Sequence, residues 1–281
     1  MVNEGPSSGA SNPAVLRVRG LSKRYARGPL WRKHASFVAV NEVDLEIGLG
    51  ETLALVGSSG SGKSTVARCI AQLEKADSGQ VWIDGTELTR LSARELLPFR
   101  SRVQMLFQDA ATAMNPRFSA DEVIQEPLRI QGRSRSEQQE IAQGLMKEVA
   151  LSPDWLKRSV REFSGGQKQR LAIARALAVR PRLLILDEAL SGLDLSIRAQ
   201  IANLLLNLQE THSLTYLLIS HDLAVVTGLA DRIAVMSQGQ IVETGPVSTV
   251  LRQPNHEETK KLVAATREAE SKLAISAGAS A

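Results

Sequence analysis

Beginning at Val15, apolar and polar positions alternate in VLRVRGLSKRY, and FVAVNEVDLEI and ETLALVG carry the same period of two, which predicts three strands. A basic, Gly-containing loop, ARGPLWRKHAS, separates the first two. The third ends in a Gly/Ser-rich turn, and STVARCIAQL after it has helical spacing. QVWIDG and RVQMLFQ predict further strands. Between about Ala110 and Val160 the pattern turns helical, with DEVIQEPLRIQG, SEQQEIAQGLMKEVAL and SPDWLKR. Strand–helix alternation then returns with QKQRLAIARALAV, PRLLILDE, IRAQIANLLLNLQETH, TYLLISHD and LAVVTGLA. RIAVMSQGQIVETG predicts a hairpin around Gln238-Gly239. From roughly Thr266 a short charged helix gives way to a small-residue tail. With no internal repeat, the pattern predicts an α/β lobe interrupted by a helical insert. Its expected boundaries are a flexible leader over 1–13, one domain over 14–265 with the helical part at about 110–175, and a tail over 266–281.

Composition narrows the class. A chain of 281 residues with 43% hydrophobic and 23% charged residues has the balance of an ordinary globular protein with a substantial core. Aromatics at 4% argue against a binder that stacks single-stranded bases. The net charge of +4 is spread without a long basic stripe, which reads as a solvated surface. Cys69 is the single cysteine, so neither an internal disulfide nor a cysteine metal cluster is available. No apolar run approaches the ~18 residues of a membrane-spanning helix. MVNEGPSSGASNP lacks the positive start and apolar core of a signal peptide. The chain is therefore expected in the cytoplasm, reaching a membrane only through partners.

The stretch LLILDEALSGLD, Leu183 to Asp194, places Asp187 and Glu188 directly after four apolar residues. A carboxylate at the end of a buried strand is costly unless a cation or fixed hydrogen bond compensates it. GSSGSGKST supplies the reason. It runs through Gly57, Ser58, Ser59, Gly60, Ser61, Gly62, Lys63, Ser64 and Thr65, and it fits G-x-x-x-x-G-K-[ST] between a strand and a helix. Its glycines let backbone N–H groups turn inward around phosphates, and the helix N-terminus behind them favours negative charge. Lys63 is expected on the β- and γ-phosphates and the Ser64 hydroxyl on magnesium. Asp187 is then expected at the magnesium through water, and Glu188 as the base for water attacking the γ-phosphate.

SGGQKQR opens a second helix, and Ser164, Gly165, Gly166 and Gln167 form another anion-binding terminus there. By itself it is a plain helix cap. One nucleotide on the first loop leaves this second terminus unused within its own chain, whereas a head-to-tail two-fold pair lets each terminus close over the partner's ATP.

The phosphate loop, FSGGQKQR, LLILDE and LISHD, in this order, resemble the nucleotide-binding subunit of an ABC transporter, over about Val15 to Ala265. The resemblance implies a P-loop fold with a RecA-like parallel-sheet core, an antiparallel β subdomain and a helical signature subdomain. It implies ATP and Mg²⁺, with Tyr25 stacking on adenine and Gln108 contacting magnesium and water. His221 would hold the γ-phosphate, and SGLD, Ser191 to Asp194, would link the two sites across a dimer. QDAATAMNPR, Gln108 to Arg117, is similar to the peptide and nickel uptake branch, as are the loop ARGPLWRKHASFVAV and the segment QPNHEETKKLVAA. Partners implied are two membrane permease subunits, a second ATPase (a paralogue or a copy) and, indirectly, a solute-binding protein. They place the chain on the cytoplasmic face of the inner membrane, with no nucleic acid expected. Peptides lead as the solute, ahead of nickel. Phe163, Ala189 and Gly192 depart from Leu, Pro and Ala at those positions of the family pattern, and HEET departs from H-P-Y-T. An exporter ATPase, or a soluble ABC protein acting on nucleic acid or ribosomes, is the competing reading. The soluble class usually carries a long coiled-coil insert or two cassettes in one chain.

Overall fold

A computed structural model describes residues 14–26, 36–108 and 114–278. The leader 1–13, most of the basic loop, residues 109–113 of the QDAATAMNPR segment and the last three residues lie outside the described residues.

Two sheets form the frame. The first is antiparallel and contains β1 (Ala14–Ala26), β2 (Ser36–Gly48), β4 (Ser78–Ile83) and β5 (Thr86–Glu87), in the order β2-β1-β4-β5. The second contains β3 (Thr52–Val56), β6 (Val103–Leu106), β7 (Leu183–Asp187), β8 (Thr215–Ile219), β9 (Arg232–Ser237) and β10 (Gln240–Pro246), in the order β10-β9-β3-β8-β7-β6. All of its neighbours run parallel except β10, which folds back on β9. That turn is built on Gln238 at φ 49° and Gly239 at φ 85°, the positive pair a tight two-residue hairpin demands.

Strands β3, β7 and β8 are buried at every residue, which is why they read as unbroken apolar runs. Their period of two still sorts the side chains. Leu53, Leu55, Leu183, Ile185, Leu217 and Ile219 face a core shared with Leu16, Val18, Ile47 and Ile83 of the antiparallel sheet. Ala54, Leu184, Leu186, Tyr216 and Leu218 face the opposite core, with Ile124, Leu128, Met146 and Leu171 from helices. Each fully buried Leu or Ile contributes about 1.5–3 kcal/mol, so the central strands anchor both halves at once.

The helices are α1 (Lys63–Ile70), α2 (Ala120–Ile130), α3 (Arg135–Glu148), α4 (Gly165–Leu177), α5 (Leu195–His212), α6 (Leu223–Leu229), α7 (Val247–Arg252) and α8 (Glu257–Gly278). Capping boxes open three of them: Ser119 with Glu122, Ser134 with Glu137, and Ser164 with Gln167. α2 packs on α3 and α4, forming the helical insert.

Two expectations change. SPDWLKR, expected as a helix, is a single 3-10 turn over Pro153–Lys157. The chain leaves the turn at Arg158 in an extended conformation, and the Trp155 ring meets the buried Phe163 edge-on at 6.1 Å and carries the Arg158 guanidinium at 4.6 Å. The last helix starts at Glu257 rather than near Thr266. The Glu243 carboxylate from β10 accepts the N–H groups of Asn255 and His256 at 3.0 Å each, fixing the entry nine residues earlier.

Candidate active site

The parallel order of the second sheet decides what meets at its carboxyl edge. The loop after β3 carries the phosphate-binding sequence, the end of β8 carries His221, the end of β7 carries Asp187 and Glu188, and Gln108 lies two residues past β6. Ligands of open α/β sheets bind at this edge.

The phosphate loop is wedged tightly. Gly239 of the β9–β10 turn donates to the Ser61 carbonyl at 3.0 Å. A Cβ on Gly62, at φ 109°, would stand 2.1 Å from the Ala39 carbonyl oxygen of β2. One on Gly57 would stand 2.1 Å from the Met236 carbonyl oxygen of β9. Only glycine fits where both flanking backbones approach this closely.

Lys63, buried, curls back over the loop. Its Nζ donates to the carbonyls of Gly57 at 2.8 Å and Ser58 at 2.9 Å and reaches Ser61 Oγ at 3.4 Å. Burial pushes its ammonium below the ordinary lysine value, while the charges of Glu188 and Asp187 oppose that shift. Ser64 Oγ donates to Asp187 Oδ1 at 2.9 Å. Asp187 is buried, and burial raises its carboxyl above the usual range against the Ser64 bond and the Arg68 charge. Two hard oxygens, one hydroxyl and one carboxylate, thus meet beside the phosphate loop.

Glu188 takes φ 49°, a left-handed backbone rare for a side chain of its size. The turn is held by Glu188 N–H on the Ile219 carbonyl at 3.0 Å and by Ser191, whose Oγ donates to the Glu188 carbonyl at 2.7 Å. The bend aims Glu188 at His221, whose Nδ1 lies 3.4 Å from Glu188 Oε1.

Tyr25 is half-buried on β1, near the Thr65 and Glu74 side chains and so beside the first turn of α1. Burial, ahead of the Glu74 carboxylate, raises its phenol above the ordinary value. Gln108 is exposed at the border of the described residues. Ser164 to Gln167 stand apart from this cluster. Ser164 N–H donates to Gln167 Oε1 at 2.9 Å, and Ser164 Oγ accepts from Gln167 N–H at 3.4 Å. Gly165 and Gly166 begin α4, where the backbone N–H groups have no partner inside the helix.

The departures also find places. Phe163 is buried against Trp155. Gly192 holds φ 75° with open space where a Cβ would stand, so glycine suits that turn. Sequence reasoning missed two residues. Gln169, buried in α4, donates to the Ala189 carbonyl at 2.9 Å and ties that helix to the Glu188 turn. Arg198 of α5 joins the loop after β7 to the loop after β8. An amide four residues after the first helical residue, Gly165, on the apolar side of the helix was the available signal for the first; nothing in the pattern distinguished the second from a surface charge.

Among the described residues no group of three or more His, Cys, Asp or Glu could hold a metal alone. The Ser64–Asp187 pair fits magnesium only if phosphate and water complete the shell, the usual habit of that ion. No helix among the described residues is long and apolar enough to cross a membrane.

The family described as ABC transporter matches residues 40–191. A probable peptide ABC transporter ATP-binding protein of Sinorhizobium fredii is 45% identical over 255 residues, 90% of this chain and 72% of that one. The glutathione import ATP-binding protein GsiA of Escherichia coli K12 is 45% identical over 260 residues; they are 91% of this chain but 42% of that protein, so the chain spans about two fifths of its length. Among solved structures, the ATP-binding cassette MJ0796, as a dimer in a post-hydrolysis state with ADP and Pi, superposes with a TM-score of 0.73 at 29% identity, covering 83% of this chain and 98% of that one. cbiO1 of Clostridium perfringens, part of the ABC transporter complex cbiONQ, superposes at 0.76 with 25% identity, covering 86% and 92%. With the phosphate loop, the acidic strand end and the histidine gathered on one sheet edge, the chain belongs to the ABC transporter family, as one of its ATPase cassettes.

Proposed function

We propose that this cassette powers solute import through a membrane ABC transporter, with peptides as the leading solute. The observation that carries the reading is the convergence of Lys63, the Ser64–Asp187 pair and the Glu188–His221 pair at one sheet edge, in a chain resembling peptide and glutathione import ATP-binding proteins at 45% identity. The chemistry is in-line transfer of the γ-phosphoryl of ATP to water, with positioning and electrostatics as the main contributions. Tyr25 takes the adenine, and the loop Gly57 to Thr65 wraps the phosphates. Lys63 counters the charge on the β- and γ-phosphates. Ser64, Asp187 and Gln108 are the residues that would hold Mg²⁺, which when bound supplies positive charge to the leaving phosphate oxygens. Glu188 orients the attacking water and takes its proton, and His221 holds the γ-phosphate in line. Ser164, Gly165, Gly166 and Gln167 reach a second cassette's γ-phosphate, so ATP closes the dimer and hydrolysis reopens it.

The working partners are two permease subunits on the inner membrane, a second ATPase and, through the permeases, a solute-binding protein. Tagged pull-down from detergent-solubilised membranes of the native host tests this. Recovery of two polytopic membrane proteins with a second ATPase is expected. Recovery with ribosomes or nucleic acid instead would leave the ATP chemistry and overturn the transport reading.

A further inference from the structure

Arg198 stands one turn into α5, four residues after Asp194, the residue that caps this helix. Its guanidinium donates to the Asp222 carboxylate and, through Nη2, to the Leu193 carbonyl at 3.0 Å. Its Nε has no partner among the described residues, so the two terminal nitrogens carry the attachment. The partners belong to different loops. Leu193 lies in SGLD, after β7, while Asp222 directly follows His221, after β8.

Asp222 is held at every polar atom on this side. One carboxylate oxygen caps α6 by accepting from Ala224 N–H at 2.9 Å and Val225 N–H at 3.4 Å, and the other takes Arg198. Its own N–H donates to Ser220 Oγ at 3.0 Å. SGLD is tied at its other end, where Ser191 Oγ bonds the Glu188 carbonyl. The bonds therefore close a ring that runs Glu188, Ser191, Leu193, Arg198, Asp222, His221 and back to Glu188 across the 3.4 Å gap. Glu188, Ser191, Arg198, His221 and Asp222 of this ring line a cavity of about 60 Å³.

We propose that Arg198 is a positioning residue that fixes His221 against Glu188 and couples that geometry to the SGLD loop, a role that rests on Glu188 and His221 acting in hydrolysis. An isolated exposed ion pair is worth little. A planar fork that bonds a carboxylate and a carbonyl at once is different, because its rigid geometry holds both partners in one arrangement. A lysine keeps the charge towards Asp222 and loses the second bond.

The test uses the full chain with Arg198→Met, Arg198→Lys and His221→Ala, comparing steady-state ATPase kinetics, melting temperature and the ring resonances of labelled histidine. His221 is assigned by its loss in His221→Ala. For Arg198→Met we expect kcat to fall on the order of 10–100-fold, the effect of a small misplacement of a reacting group. KM for ATP stays near its original value, and the His221 resonance moves while those of His212 and His256 do not. Arg198→Lys recovers part of kcat, and it carries the same readings if Arg198→Met does not fold. Unchanged kcat, or a fall in kcat with the His221 resonance in place, overturns the proposal. So does a loss that tracks a lower melting temperature and a higher KM. Full turnover in His221→Ala defeats the underlying assignment of His221 instead, whereas inactive His221→Ala beside active Arg198 variants defeats only the role of Arg198.

Discussion

Asp187 shows what the site costs its own fold. Its buried carboxyl is raised above the usual range by burial, and among the described residues the Ser64 hydroxyl is its hydrogen-bond donor. A carboxyl raised in the folded chain binds its proton more tightly there than in the unfolded chain. The contribution to stability is thus present at low pH and is lost as pH rises through the folded-state ionisation. Replacing it by an amide keeps an acceptor for Ser64 and removes the buried charge. Asp187→Asn is expected to raise the melting temperature of the nucleotide-free protein at neutral pH while abolishing hydrolysis. A lower melting temperature at unchanged turnover would refute this account of Asp187. Lys63 is the complementary case, a buried ammonium held by the Gly57 and Ser58 carbonyls. Lys63→Ala is expected to lose ATP binding itself, measured by calorimetry, rather than only turnover.

The elements explain which parts of this were legible beforehand. The strands that converge on the site, TLALV and LLILD, announce themselves as apolar runs because both of their faces are covered. The phosphate loop was equally readable, since its glycines are dictated by backbone contacts. Gly62→Ala puts a Cβ 2.1 Å from the Ala39 carbonyl oxygen on top of a left-handed backbone. That backbone alone costs about 1–3 kcal/mol, so weakened ATP binding and a lower unfolding temperature are both expected. What escaped was tertiary. The 3-10 turn at Pro153–Lys157 has the local pattern of a helix, yet the chain turns extended at Arg158, with Trp155 packed edge-on against Phe163. The early start of α8 depends on Glu243, which is distant in sequence from Glu257 by fourteen positions and belongs to another strand. Arg198 looked like any surface arginine until two loops met at it. At α4, Ser164 spends its hydroxyl on its own helix cap. Ser164→Ala is therefore expected to cost the fold about 1 kcal/mol, read by chemical denaturation, in addition to any effect on ATP.

At the scale of the whole molecule, the two anion-binding termini sit on different parts of one chain. The phosphate loop lies between the two sheets, where Gly57 and Gly62 are boxed in by β9 and β2. The α4 terminus lies on the helical insert, and no hydrogen bond among those described joins it to Lys63, Ser64 or Asp187. We therefore propose that a single cassette presents an unfinished site, which a head-to-tail pair would complete twice. The central claim is that ATP closes this pair and that Glu188 is needed to reopen it. Glu188→Gln keeps the shape of the side chain and removes the proposed base. The most direct measurement is sedimentation velocity of Glu188→Gln with and without MgATP, run beside an assay of phosphate release. The prediction is a monomer without nucleotide, a stable dimer with MgATP, and no phosphate released. Normal phosphate release, or a monomer that persists in saturating MgATP, would contradict it.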